Sequence, residues 1–90
     1  MAISRQERRA AREPRVRVVF RSSANAVLDV LELTELAWHD CYGEVTPPED
    51  VIEDILVCSE GDLPSLLRAA RLAVEDRRDL RLWAERVVRA

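Results

Sequence analysis

The stretch Ala24–Tyr42, ANAVLDVLELTELAWHDCY, constrains this chain most. Nineteen residues pass without glycine or proline. At 100° per residue, Ala24, Ala26, Val27, Leu28, Val30, Leu31, Leu33, Ala37, Trp38, Cys41 and Tyr42 spread over about half of the helix circumference. Asn25, Asp29, Glu32, His39 and Asp40 form the polar strip, with Leu36 in its middle. So wide an apolar arc needs cover on more than one side, from the same chain or from a second copy.

Ninety residues make one domain. A chain of this size buries roughly 60–65% of its unfolded surface, so a partner subunit adds useful stability. The expected fold class is mainly α: a small bundle of three or four helices, with an N-terminal basic arm and one short extended or β segment. Residues 1–14 are read as the arm and residues 15–90 as a single helical domain.

All fourteen basic residues are arginine, a bias that reflects codon usage more readily than selection for anion forks. Their distribution says more. Residues 1–21 hold seven arginines and two acids, net +5, whereas residues 22–90 hold seven arginines and fifteen acids, net −8. A basic arm on an acidic body points to an anionic contact for the arm, either nucleic acid or the body itself.

In the arm, Ser4-Arg5-Gln6-Glu7 is a capping-box pattern, and Pro14 is expected to stop the helix that it opens. Residues 15–21, RVRVVFR, then alternate. Val16, Val18 and Phe20 fall to one side, and Arg15, Arg17, Val19 and Arg21 to the other, which is a strand pattern. A strand without a second comparable run pairs with its twin, joins a partner's sheet, or lies extended over the helices.

Ser22 and Ser23 suit the start of the central helix, and Gly43 suits its end. Thr46, with Pro47 and Glu49 following, is expected to cap a second helix that buries Val51, Ile52, Ile55, Leu56 and Cys58 and runs to about Ser59. After Gly61, Asp62 caps a third helix with the stripe Leu63, Leu66, Leu67, Ala70, Ala73 and Val74. Beyond it a second stripe, Leu80, Trp83, Ala84, Val87 and Val88, is rotated by roughly 90°. The helix is therefore kinked, or split by a cap at Asp76 or Asp79.

No catalytic, cofactor or metal site is expected. His39 and Cys41 stand two apart and diverge by about 200° on a helix, too far for zinc ligands that converge near 2.0–2.3 Å. Cys41 and Cys58 are read as buried reduced thiols rather than a disulfide, and His39 as a solvated surface residue. The carboxylates lie on outer faces at helical spacing, as a solubilising surface does. Only two glycines exist, and neither opens a phosphate loop. No apolar run of 7–15 residues follows the N-terminal arginines and none approaches 18, so neither a leader nor a span is expected and the location is read as cytoplasmic.

The function that best fits is a small, non-enzymatic protein-interaction module that self-associates or binds a protein partner. Its candidate surface is Val16, Val18 and Phe20 of the extended segment, with Leu36, Val57 and Leu72 lying off the main stripes. The alternative is a DNA-binding regulator. Strand, helix, glycine turn and helix is the order in ribbon–helix–helix repressors, and RVRVVFRSS followed by a helix and Gly43-Glu44-Val45-Thr46 resembles it. The resemblance implies an antiparallel ribbon made by two chains, with Arg15, Arg17 and Arg21 toward the major groove and Val16, Val18 and Phe20 toward the dimer core. The central helix here is longer than that motif has, and the body is acidic rather than basic.

Overall fold

A computed structural model describes residues 3–90, and all its regular elements are helical. They are α1 (Arg5–Phe20), a 3-10 turn (Arg21–Ser23), α2 (Ala24–Tyr42), α3 (Glu49–Ser59), α4 (Leu63–Glu75) and α5 (Arg77–Arg89). The mainly helical expectation holds.

The caps explain most boundaries. The Ser4 hydroxyl accepts from the Glu7 N–H at 3.2 Å while Glu7 Oε1 accepts from the Ser4 N–H at 3.3 Å, so the capping box that opens α1 is complete. Gly43, at φ 74°, closes α2 in the left-handed conformation that glycine adopts without a side-chain clash. Asp62 caps α4 by accepting from the Ser65 N–H at 3.0 Å. Asp76 accepts from the N–H groups of Arg78 and Asp79 and is the single residue between α4 and α5. The C-terminal helix is thus split, and its two stripes enter the same core from two helices.

Two expectations are corrected. The segment 15–21 is not a strand, and no strand occurs among the described residues. It is the second half of α1, which runs through Pro14 instead of ending there. Val16 and Phe20 are one helical turn apart, and both are buried in the core. That burial, with the ion pairs described below, outweighs the hydrogen bond that Pro14 deletes. Thr46 does not cap α3 either. Pro48 occupies the cap position with no side-chain bond, and the Thr46 hydroxyl turns toward α2.

Helix α2 lies between α1 on one flank and α4 on the other, and α3 packs against α4 and α5. Val27, Leu28, Leu31 and Trp38 of α2 meet Val16 and Phe20 of α1, Ile52 and Ile55 of α3, Leu66 of α4 and Leu80 of α5 in one core. The radius of gyration is 12.4 Å, against about 12 Å for a folded chain of this length. No helix among the described residues is long and apolar enough to cross a membrane.

Candidate functional site

Positions 8, 12, 16 and 20 fall on successive turns of α1 and face the body. Two of them are apolar and two are arginine. Arg8 and Arg12 are nearly as enclosed as Val16, at 11% and 10% side-chain exposure, and both meet Glu35 of α2, which is 2% exposed. Arg8 donates from Nε at 2.6 Å and from Nη2 at 3.2 Å, Arg12 from Nη1 at 2.9 Å, and Thr46 from its hydroxyl at 3.0 Å. Burial pushes the Glu35 carboxyl up, but the bonds from Arg8, Arg12 and Thr46 outweigh it and hold the group below its ordinary value.

The other arm arginines continue the pattern. Arg9 bridges Asp29 and Glu32 of α2, Arg12 also reaches Glu49 at 3.3 Å, and Arg15 grips both oxygens of Glu53 on α3. The charge partition is sharper than a basic arm on an acidic body: residues 22–62 hold eleven acids and no arginine. The anionic contact of the arm is the chain's own α2 and α3.

These pairings place the candidate nucleic-acid residues. Arg15 is held by Glu53, and Arg17 by Glu13 at 2.9 Å and Asn25 at 3.1 Å. Arg21 ends α1 with a positive φ of 52°. On a helix Arg17 and Arg21 lie about 200° and 240° round from Arg15, so the three share no face. The ribbon that the resemblance implies does not form.

Of the candidate partner residues, Val16 and Phe20 belong to the core, while Val57 and Leu72 are half-buried against it. Val18, 77% exposed, and Leu36, 44% exposed, do face outward, on different helices. Cys58 is buried, as expected, with its thiol 3.9 Å from the Leu80 carbonyl, and burial raises its pKa to about 11. Cys41 is exposed, against expectation. His39 is exposed too, with Nδ1 3.3 Å from the Glu44 carbonyl oxygen. No metal-binding cluster occurs among the described residues.

An open apolar surface lies between α2 and α4. A shallow groove of about 360 Å³ runs along Val30, Leu33, Thr34 and Ala37 on one side and Leu67, Ala70 and Val74 on the other. Leu33 is 63% exposed and Leu67 49%. Arg71 and Glu75 close the α4 edge and pair with each other at 3.4 Å. The hydroxyl of Tyr42 donates to the Val74 carbonyl at 2.9 Å, fixing the end of α2 against the end of α4. In the sequence, Leu33 and Leu67 fall within the apolar stripes that are expected to be buried. The signal that they are not was the width of the α2 arc, which α1 and α4 together do not cover.

A second cavity, of about 380 Å³, lies between α1 and α3 over Ala11, Ile52 and Leu56. It is edged by Arg12, Arg15, Glu49 and Glu53, the residues of the ion pairs between arm and body.

Comparison of the chain with protein-family models, curated proteins and solved structures gave no match.

Proposed function

We propose that this chain is a non-enzymatic, cytoplasmic interaction module that presents the α2–α4 groove to another protein. The observation that carries the reading is the exposure of Leu33 and Leu67 over a floor of small side chains, Ala37 and Ala70, on two helices whose relative position is fixed. A contiguous apolar face of this kind costs solubility and marks a contact surface. The buried Arg8–Glu35–Arg12 cluster supports the same reading, since both arginines and the carboxylate are engaged in holding α1 in place rather than facing a substrate. The unpaired thiols of Cys41 and Cys58 are what a reducing compartment leaves.

The test is photo-crosslinking in producing cells, with a benzophenone amino acid at position 67 and, as the control, at position 18. The reading expects a discrete protein adduct from position 67 and none from position 18, which is more open still but lies on α1. Absence of any adduct from position 67 would end it.

A further inference from the structure

We propose that the occupant of the α2–α4 groove is a second copy of this chain, in a two-fold dimer that lays α2 of each protomer along α4 of its partner. This rests on the interaction-module reading and names its partner.

The charges select the partner and the pairing. The outward edge of α2 carries Asp29 and Asp40, and α2 has no arginine. Asp40 has no ion-pair partner among the described residues. The edge of α4 carries Arg71, 80% exposed at its side chain, with Arg68 further round and Glu75 as its one acid. Turning one copy over so that α2 meets α2 sets each unpaired Asp40 against a second acidic edge, whose Asp29 is already neutralised by Arg9, and like charges juxtaposed in an interface disfavour it. A two-fold axis running along the helices sets α2 against α4 twice, and each contact then joins an acidic edge to a basic one. The apolar surfaces match in the same arrangement. Leu33 stands out of α2 beside a groove whose floor is Ala37 and Ala70, so each Leu33 has a recess to enter on the other copy.

The size is sufficient. A helix of nineteen residues is about 28 Å long, and two helices side by side are roughly 20 Å across. The face is therefore roughly 500 Å² per chain, about 1,000 Å² in total, at the lower limit of specific interfaces.

Sedimentation velocity of the full chain from about 10 µM to 1 mM tests this. The expected result is a concentration-dependent species of twice the 10.3 kDa chain. Leu33→Asp, at an exposed position, should give monomer with unchanged helical circular dichroism. Arg71→Glu should weaken dimerisation at least tenfold, and adding Asp40→Arg should restore it to within about threefold. A monomer at every concentration overturns the proposal, and so does a double variant no tighter than Arg71→Glu alone. The two levels separate cleanly. If position 67 crosslinks only to a different protein while the purified chain stays monomeric, the second copy is wrong and the module reading stands. If position 67 crosslinks to nothing, both fall.

Discussion

Arg8 and Glu35, 27 residues apart in sequence, form a two-pronged contact in which Nε and Nη2 of the guanidinium meet the two carboxylate oxygens at 2.6 and 3.2 Å. Planar pairing of this kind is the strongest form of side-chain ion pair, and here it is almost dry. Its energetic sign depends on what replaces it. Glu35→Gln leaves the enclosed Arg8 guanidinium without a countercharge and Arg12 with Glu49 alone, and should cost about 3 kcal/mol in urea unfolding. Replacing all three members together, as Arg8→Met, Arg12→Met and Glu35→Leu, should leave stability within about 1 kcal/mol of the parent or raise it. A triple variant as unstable as the single one would show that the cluster is a net source of stability.

The acid limb of stability follows from the same residues. Glu35 and Glu53 have folded pKa values below the ordinary 4.5, Glu35 because its three hydrogen-bond donors outweigh burial and Glu53 because of Arg15. Their contribution is fully present above pH 4.5 and is lost as pH falls through the lower folded values. Asp54 runs the other way: burial raises it despite the Arg81 pair, so its protonation relieves a cost as pH falls toward the ordinary 3.8. Chemical denaturation should show stability falling below about pH 4.5, with the slope reduced in Glu35→Gln and steepened in Asp54→Asn.

Two backbone positions in and after α1 oppose the fold that they belong to. Pro14 withholds an N–H in mid-helix, and both it and Ala10, whose carbonyl loses that bond, are exposed. Pro14→Ala should raise stability by about 1–2 kcal/mol, the helix gain being partly offset by a freer unfolded chain. Arg21 holds φ 52° and ψ −113° with a side chain attached, and Arg21→Gly should gain about 1 kcal/mol. Thermal melts check both, and a loss of stability in either variant would contradict the α1 geometry.

The two thiols should behave oppositely. Cys41 is open to solvent, whereas Cys58 is enclosed with its pKa raised to about 11. An aromatic disulfide reagent at pH 8 should titrate one thiol per folded chain at once, and the second only with denaturant present. Cys41→Ser should abolish the fast phase.

What could be read from the sequence was what neighbouring residues decide among themselves. Ser4 with Glu7, Gly43, Asp62 and Asp76 end or begin helices through bonds within three or four residues, and each was legible. RVRVVFR was not, because Val16, Val18 and Phe20 satisfy a two-residue period as well as Val16 and Phe20 satisfy a helical one. The tie is broken by Arg8 and Arg12, which extend the same face but count as polar in any apolar pattern. Only Glu35, more than twenty residues away, makes those positions internal. Thr46 was misplaced for the same reason, its hydroxyl being taken by a distant carboxylate instead of a local N–H. The exposure of Leu36, on the α1 side of α2, follows from its place in the polar strip, while on the open face Leu33 and Leu67 look like core because nothing local says which part of a wide arc goes uncovered.

The absence of any arginine between residues 22 and 62 makes the middle of this chain electrically dependent on its ends. Every arginine that neutralises Asp29, Glu32, Glu35, Glu49, Glu53 or Asp54 arrives from the first twenty residues or from α5. A polypeptide severed in the turn at Arg21–Ser23 would therefore yield two fragments of opposite sign. They should recombine on mixing, faster in dilute buffer than in brine.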